Sequence, residues 1–304
     1  MNAPRPAGGA PREGQTFAGE GGFARWASFV KLPHTVFALP FALVGVVFAT
    51  RVAPISVATV GWVVLAFTCA RWVAMAVNRI VDREYDAKNP RTAGREIPRG
   101  VIGVAEAWGT VAVAAGLFVW AAWQLNPLCF ALSPVALCWV CFYSFTKRFT
   151  RLAHLVLGLG LAIAPVGGYL AVTGAWSEPW WLLIALTVAV MTWSGGFDIL
   201  YALPDIEFDR SQGLHSIPAA LGVPRALAIA RGLHFLTVAA LSFAVWTAGA
   251  LAWIGVLVAA AILAYEHSLV SSDDLSRLDA AFFTLNGVIS LTFFAFILAD
   301  RVFG

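Results

Sequence analysis

The sequence predicts an all-α polytopic membrane protein, because it is strongly apolar, carries few charges and divides into long hydrophobic segments. Of its 304 residues, 60% are hydrophobic and 12% are charged, about half the charged fraction of an average soluble domain. Nine apolar segments are long enough to cross a bilayer as helices. They fall near residues 30–50, 57–78, 103–124, 128–146, 153–173, 180–202, 225–248, 250–270 and 279–300.

The chain divides into a polar N-terminal segment and one transmembrane domain. Residues 1–22 are rich in Gly, Pro, Ala and polar residues and contain no apolar core. We therefore expect a disordered tail there rather than a cleaved signal peptide. Residues 23–304 contain all nine expected helices and leave little room for a separate soluble domain.

The basic residues predict the orientation of the helices in the membrane. Of the 20 Lys and Arg residues, seventeen flank the helices on the side of the N-terminus. Only Arg51 and Arg301 lie on the other side, and Arg71 lies within a segment. Because basic residues accumulate on the cytoplasmic side, we expect a multi-pass protein of the cell (inner) membrane with a cytoplasmic N-terminus.

The cysteines and most histidines show no spacing that would bind a metal ion. Cys138 and Cys141 form a C-x-x-C pair, but no second pair exists to complete a site. We interpret the four cysteines as buried thiols without a chemical role. We interpret His154, His234 and His267 as interface histidines whose hydrogen bonds are satisfied.

The first chemical pattern is a row of oxygen-bearing side chains at the end of the second expected helix. Asn78, Asp82 and Asp86 are four residues apart, so on a helix they lie on one face, about 6 Å from one to the next. Two carboxylates and an amide oxygen suit a hard divalent cation such as Mg²⁺.

A row of arginines follows these residues at the same spacing. Arg91, Arg95 and Arg99 can bind phosphate oxygens through their guanidinium groups while the carboxylates hold Mg²⁺. The two rows together indicate a polyanionic ligand. The alternative is a solvated juxtamembrane loop that obeys the positive-inside rule.

A second acidic pattern, after the sixth expected helix, argues against that alternative. Asp205 and Asp209 repeat the four-residue spacing, and a basic residue and a proline follow them as in the first pattern. Since the patterns lie four helices apart, we expect an internal repeat of four helices, with the ninth helix as an addition. Two carboxylate clusters on one membrane face can converge on one diphosphate through two Mg²⁺ ions.

One arginine lies inside an expected helix. Arg71 precedes Asn78 by seven residues, which places it two turns, about 10 Å, deeper on the same helical face. A buried arginine usually faces a polar cavity and has a partner. We consider two partners: a carboxylate within the bundle such as Asp198, or the carboxylate of an aromatic second substrate.

The acidic patterns together resemble those of the UbiA superfamily of intramembrane aromatic prenyltransferases. The motifs are Asn78-x₃-Asp82-x₃-Asp86, Arg91-Thr92-x₂-Arg95-x₂-Pro98 and Asp205-x-Glu207-x-Asp209. Segments 34–41, 143–148 and 213–218 are similar to the 4-hydroxybenzoate polyprenyltransferase branch. The resemblance extends over about residues 25–300.

The resemblance implies nine helices around a central cavity, capped on the cytoplasmic side and open laterally to the lipid for a polyprenyl tail. It also implies a role for each matching residue. Asn78, Asp82 and Asp86 would hold one Mg²⁺ ion, and Asp205 and Asp209 the other. The substrate-binding residues would be Arg91, Arg95 and Lys147 for the diphosphate, Arg71 for the acceptor's carboxylate, and also Tyr143 and Arg148.

The implied reaction is the Mg²⁺-dependent transfer of a polyprenyl group from polyprenyl diphosphate to a ring carbon of an aromatic carboxylic acid. We expect 4-hydroxybenzoate as the acceptor in ubiquinone biosynthesis, with attack ortho to its hydroxyl group. The phenol would be polarised by Asp198 or by a carboxylate of the second cluster, Asp205 or Asp209. The alternative acceptor is a dihydroxynaphthoate in menaquinone synthesis by the futalosine route.

Other classes of membrane protein fit the sequence less well. A phosphatidyltransferase of the alcohol-phosphotransferase type would carry an Asp-Gly-x-x-Ala-Arg run, which is absent. A secondary transporter would place its coupling charges near the bilayer midplane, whereas nearly all charge here collects at one face. A scaffold would not need repeated carboxylate pairs, and we expect no nucleic-acid partner.

Overall fold

The computed structural model describes residues 21–177, 179–270 and 284–304, and within these residues every regular element is helical. The expected tail over residues 1–22 lies almost wholly outside the described residues. Three of the seventeen basic residues that indicate the orientation also lie outside them, namely Arg5, Arg12 and Arg277. The α-helices are α1 Gly22–Phe29, α2 Leu32–Ala49, α3 Val57–Val81, α4 Arg83–Lys88, α5 Val104–Leu125, α6 Pro127–Thr146, α7 Ala153–Thr173, α8 Trp180–Tyr201, α9 Ile206–Ser211, α10 Ile217–Leu221, α11 Val223–Ala244, α12 Ala250–Leu269 and α13 Asn286–Phe303.

Eight of the described helices are long and apolar enough to cross a membrane, namely α3, α5, α6, α7, α8, α11, α12 and α13. The chain is therefore an all-helical, multi-pass membrane protein. The first expected span corresponds to α2, which extends over 18 residues and whose apolar part is described from Ala38 to Ala49. The last expected span begins, within the described residues, at Asn286. A total of nine spans stays a prediction.

Helix α8 forms the centre of the bundle, between α7 and α11. Leu183, Leu186 and Ala189 on α8 are fully buried, and two-thirds of its apolar window (67%) is inside the protein. Without a hydrophobic force between helices in lipid, close packing depends on small residues. On α7, Gly168 lies against the carbonyl oxygen of Ala42 on α2, where a β-carbon would collide.

The opposite ends of the bundle differ in their polar residues. At one end, Asp300 near the end of α13 accepts hydrogen bonds from Arg51 and from the amides of Gly249 and Ala252, which begin α12. At the other end, the long helices α3 and α8 are followed by the short helices α4, α9 and α10. Most of the site residues predicted from the sequence lie at this end of the bundle.

Candidate active site

A polar cavity of about 250 Å³ lies at the end of the bundle that carries the short helices. Its walls come from α2, α3, α6, α7, α8 and α13 and from the segments that contain α4 and α9. All the site residues predicted from the sequence except Arg99 line it: Arg71, Asn78, Asp82, Asp86, Arg91, Arg95, Tyr143, Lys147, Arg148, Asp198, Asp205 and Asp209. The structure thus brings the two acidic patterns, far apart in sequence, to one cavity.

The two acidic patterns also share a local backbone conformation. Asp82 follows α3 with φ −91° and ψ 5° and precedes the six-residue helix α4. Asp205 has φ −92° and ψ 5° and precedes the six-residue helix α9. The second carboxylates, Asp86 and Asp209, lie in the first turn of these helices. This equivalence is what an internal repeat would produce.

The spacing of the first pattern is helical although α3 ends at Val81. The amide of Asp82 donates to the carbonyl oxygen of Asn78, and the amide of Asp86 donates to that of Asp82. The side-chain amide of Asn78 also donates to Oδ2 of Asp82 over 2.8 Å. The three side chains therefore follow one another at the interval of one helical turn.

Arginine side chains connect the acidic groups in this structure. Arg91 makes a two-point ion pair with Asp205, whose Oδ1 also accepts from the side chain of Asn89 at 3.0 Å. Arg95 contacts both oxygens of Asp86, at 2.7 and 2.8 Å. Burial alone would raise the pKa of the Asp205 carboxyl, but the hydrogen bond and charge of Arg91 outweigh it and lower this pKa. Carboxylates and guanidinium groups are therefore held within reach of one another.

Asp82 lies in a different electrostatic environment. Burial and the nearby carboxylate of Asp86 raise the pKa of Asp82 to about 6, against the opposing charges of Lys147 and Arg148. Arg148 is 3.4 Å from Oδ1 of Asp82 and also donates to the carbonyl oxygen of Val81 over 2.9 Å. Arg148 thus holds the end of α3 as well as lining the cavity.

Lys147, which follows α6, lines the cavity together with the carboxylates of both acidic patterns. Burial works against its charged form, but the carboxylates of Asp198, Asp209, Asp205 and Asp82 outweigh burial and raise the pKa of its ammonium group. Lys147 therefore stays protonated and contributes a fixed positive charge between the two patterns.

The donor set fits Mg²⁺. Among the residues described here, no three His, Cys, Asp or Glu side chains lie close enough together to hold a metal ion alone. The acidic groups instead line a shared cavity and offer only oxygen ligands. Mg²⁺ is commonly bound by one or two carboxylates, with water and substrate phosphates as its other ligands. The residues therefore fit Mg²⁺ bound together with a phosphorylated ligand.

Arg71 on α3 lies where the polar cavity meets a second, apolar cavity of about 420 Å³. Tyr143, Leu157 and Leu161 line both cavities at the same place. The Nε atom of Arg71 is buried and has no hydrogen-bond partner among the described residues. The carboxylate of Asp198 is bonded to His154 instead. The structure therefore does not contain the alternative arrangement, in which Arg71 pairs with Asp198.

Several cavity residues were not identified from the sequence. Lys31 and Arg79 line the cavity, and both are among the seventeen basic residues that indicate the orientation of the helices. Lys31 has an unusual positive φ of 48° and donates to the hydroxyl of Tyr201 over 3.2 Å, and Arg91 lies 4.7 Å from the centre of the Tyr201 ring. A basic residue directly after Asn78 was the available signal for Arg79. No sequence pattern indicated Lys31 or Tyr201.

Arg99 does not belong to the cavity. It is exposed in the turn-rich segment after α4, whereas Arg91 and Arg95 of the same row line the cavity. The regular spacing of the three arginines suggested a shared face. Residues 90–101 form turns rather than a helix, so an interval of four does not place their side chains together.

Known proteins are similar to this chain in both sequence and fold. The model of the UbiA prenyltransferase family matches residues 38–288. A 4-hydroxybenzoate octaprenyltransferase of Edwardsiella ictaluri is 30% identical over 249 residues, which cover 79% of this chain and 84% of that protein. The apo structure of a UbiA homolog from Aeropyrum pernix K1 is 33% identical, with a TM-score of 0.80, and the match covers 88% of this chain and 98% of that one.

A more distant structure supports the fold alone. A UbiA homolog from Archaeoglobus fulgidus, bound to DMAPP and Mg²⁺, is 23% identical with a TM-score of 0.71, and the match covers 92% of this chain and 100% of that one. The family model extends over most of the chain, and the bundle superposes on solved members. The chain therefore belongs to the UbiA prenyltransferase family and is a membrane-embedded transferase.

Proposed function

We propose that this protein transfers a polyprenyl group from polyprenyl diphosphate to 4-hydroxybenzoate, at the ring carbon ortho to the hydroxyl group. The observation that carries this proposal is one cavity in which two acidic patterns and their basic partners lie at one end and Arg71 at the other. Such a cavity offers a diphosphate site and a carboxylate site side by side. The relatives named 4-hydroxybenzoate octaprenyltransferase support the same acceptor.

The diphosphate would bind at the end of the cavity that contains the short helices. Arg91, Arg95 and Lys147 would donate to its oxygens, and Lys31 and Arg79 add positive charge on the same side. Mg²⁺ held by Asn78, Asp82 and Asp86, and by Asp205 and Asp209, would supply Lewis-acid stabilisation of the leaving diphosphate. The basic residues stabilise the same developing negative charge.

The acceptor would bind deeper, with its carboxylate on Arg71 and its hydroxyl group toward Asp198. Arg71 is half-buried, its Nε atom is fully buried, and its guanidinium group offers parallel N–H donors to a carboxylate. Asp198 can accept a hydrogen bond from the phenol. The C1–O bond of the prenyl diphosphate breaks and diphosphate leaves. A bond forms between C1 and the ortho carbon, which then loses its proton. Trp193 and Phe197 line this region and exclude the water that would otherwise capture the prenyl cation.

The prenyl chain would occupy the apolar cavity beyond Arg71. This cavity is lined almost entirely by apolar side chains of α3, α5, α6 and α7. Its lining includes Leu132 and Val135, which are exposed on the outer surface of the bundle and would therefore face lipid. An opening of this kind allows a long chain to extend into the bilayer.

The orientation follows from the charges at the two ends. We propose nine spans, with α2 as the first, and a site that faces the cytoplasm in the cell (inner) membrane. The excess of basic residues at the end that holds the site supports this orientation. The matching conformations at Asp82 and Asp205 support a four-helix repeat.

The test is product analysis with purified protein in lipid nanodiscs. Geranyl or longer prenyl diphosphates are supplied with Mg²⁺ and, separately, 4-hydroxybenzoate, 1,4-dihydroxy-6-naphthoate or 4-aminobenzoate, and products are identified by mass spectrometry. The expected result is a 3-prenylated 4-hydroxybenzoate and one diphosphate per product. If only the naphthoate is prenylated, the acceptor is a dihydroxynaphthoate instead of 4-hydroxybenzoate, and the proposed type of reaction is unchanged. Absence of any prenylated product, together with metal-independent uptake of a solute by the same protein in sealed vesicles, would contradict the proposal.

A further inference from the structure

His154 on α7 connects two parts of the candidate site from a buried position. Its side chain is fully buried. Its Nδ1 atom lies 2.6 Å from Oδ2 of Asp198 on α8. Its Nε2 atom accepts a hydrogen bond from the backbone amide of Ile217 at 3.3 Å. Both ring nitrogens are thus engaged, one by the cavity carboxylate and one by the start of α10.

The contact with Ile217 determines which nitrogen of His154 carries the proton. A backbone amide can only donate, so Nε2 must be unprotonated to accept from it. The proton of the neutral ring is therefore on Nδ1, where it is donated to Asp198. In a doubly protonated ring, the Nε2–H group would face the backbone N–H of Ile217, and neither group could accept a hydrogen bond from the other. The geometry points to a neutral imidazole that donates to an ionised carboxylate.

The first turn of α10 is itself tied to the second acidic pattern. Ser216, the N-cap of α10, donates from Oγ to Oδ2 of Asp209 over 2.7 Å and accepts from the amide of Ala219 at 3.2 Å. The amide of Ile217 is one of the donors that a helix start leaves without an intrahelical partner, and His154 satisfies it. The position of His154 is therefore determined by the same turn that orients Asp209.

We propose that His154 is a positioning residue that holds Asp198 in the orientation needed to accept a hydrogen bond from the phenol of the acceptor. Asp198 lines the cavity with its side chain 20% exposed. With Oδ2 engaged by His154, its other oxygen is the one available to a ligand. The inference rests on the proposed function and adds a residue that does not itself line the cavity.

The remaining described pair of histidines offers a contrast. His234 and His267 bond to each other at 2.9 Å, and His234 donates to the carbonyl oxygen of Trp193 at 3.2 Å. That arrangement joins helices but bonds to no cavity carboxylate. Variants of His267 therefore serve as controls for the loss of a partly buried imidazole.

Two amide variants separate the two contacts of His154. In His154→Asn the side-chain amide lies where Nδ1 was and can donate to Asp198, but it does not reach Ile217. In His154→Gln the amide lies where Nε2 was and can accept from Ile217, but it leaves Asp198 without its donor. The variants are compared with wild type, His154→Ala and His267→Gln by steady-state kinetics with each substrate varied, and by thermal unfolding in detergent.

We expect His154→Gln and His154→Ala to lower kcat about 10- to 100-fold and to raise KM for the aromatic acid, with KM for the prenyl diphosphate within about 2-fold. His154→Asn should retain kcat within about 3-fold of wild type. His267→Gln should show no selective change in either KM. Equal losses in the Asn and Gln variants, or an equal rise in both KM values, would make His154 a purely structural residue.

A second measurement does not depend on turnover. In full-length protein with ¹⁵N-labelled histidine, NMR should show the His154 ring neutral, protonated at Nδ1 and unprotonated at Nε2, and Asp198→Asn should shift the Nδ1 signal. A proton on Nε2, or a doubly protonated ring at neutral pH, would overturn the inference. If NMR shows the expected tautomer but the protein prenylates no aromatic acid, the proposed function is contradicted and the assignment of the His154 proton is not.

Discussion

The guanidinium group of Arg91 is paired with the carboxylate of Asp205, which lies 114 residues further along the chain. A group expected to bind diphosphate is thus bonded to a group expected to bind Mg²⁺. Arg95 and Asp86 show the same relationship within the first pattern. Each side chain is held in the cavity by the partner that it would exchange for a ligand.

This pairing predicts that Mg²⁺ and diphosphate bind together. Mg²⁺ alone meets no cluster of three His, Cys, Asp or Glu side chains in the described part of the chain, and pyrophosphate alone must compete with Asp205 for Arg91. The two ligands together should therefore raise the melting temperature by several degrees more than the sum of their separate effects. Thermal unfolding in detergent with MgCl₂, pyrophosphate, both or neither measures this. A rise in melting temperature with MgCl₂ alone that equals the rise with both ligands would contradict the prediction.

The acidic patterns predict a sharp difference between neighbouring carboxylates. Asp82→Asn and Asp205→Asn should each lower kcat by at least about 100-fold, because each removes a charged ligand while preserving side-chain size. Glu207→Gln is the matched control, since Glu207 lies between Asp205 and Asp209 but is exposed and outside the cavity lining. Its turnover should stay within about 2-fold of wild type.

Folding must be checked in the same variants. Membrane insertion and melting temperature should be close to wild type for all three, because the asparagines preserve packing. Near-normal turnover in either Asp82→Asn or Asp205→Asn would contradict the assignment of two Mg²⁺ sites.

The helices and the acidic patterns could be predicted from the sequence because each depends on local periodicity. The expected boundaries of α3, α7 and α8 agree with the structure within three residues. The carboxylates of Asp82 and Asp205 needed only a repeated spacing to be recognised. Such features are encoded within one or two helical turns.

The contacts of His154 and Lys31 could not be predicted in this way, because they arise from packing between distant elements. His154 meets Asp198 and Ile217 only because α7, α8 and α10 converge. Lys31 reaches Tyr201, 170 residues away, from a break between α1 and α2. Arg99 shows the opposite failure, since a regular spacing carries no information once the chain leaves the helix.

The apolar cavity predicts an effect of chain length on activity. Ala136 on α6 lines this cavity, and a phenylalanine there should obstruct a long prenyl chain. Ala136→Phe should lower kcat/KM for geranylgeranyl diphosphate at least about 10-fold but leave dimethylallyl diphosphate within about 2-fold. Ala131→Phe, on the exposed surface of the same helix, is the control. Equal effects on both substrates would place the prenyl chain elsewhere.

Arg71 predicts a separation between the two substrates. Arg71→Ala should raise KM for 4-hydroxybenzoate about 10- to 100-fold, because a buried, charge-assisted bond to the carboxylate is lost. KM for the prenyl diphosphate should change little, since Arg71 lies at the deep end of the cavity, away from the acidic patterns. In wild type, 4-hydroxybenzamide, which lacks the carboxylate, should have a higher KM than 4-hydroxybenzoate. In Arg71→Ala the KM values of the two acceptors should be similar. A parallel rise in both KM values would make Arg71 structural.

Lys31 predicts that activity falls on the alkaline side of neutrality. Burial lowers the pKa of its ammonium group to about 8, with the hydroxyl of Tyr201 acting in the opposite direction and Arg79 and Arg95 acting in the same direction. Lys31 is charged below this pKa and neutral above it, and only the charged form attracts diphosphate. The kcat/KM for prenyl diphosphate, which reports groups of the free enzyme, should therefore decrease as pH rises through about 8. Lys31→Arg keeps its charge throughout this range and should lose the decrease, whereas Lys31→Met should be uniformly low. An unchanged alkaline limb in Lys31→Arg would assign the titration to another group.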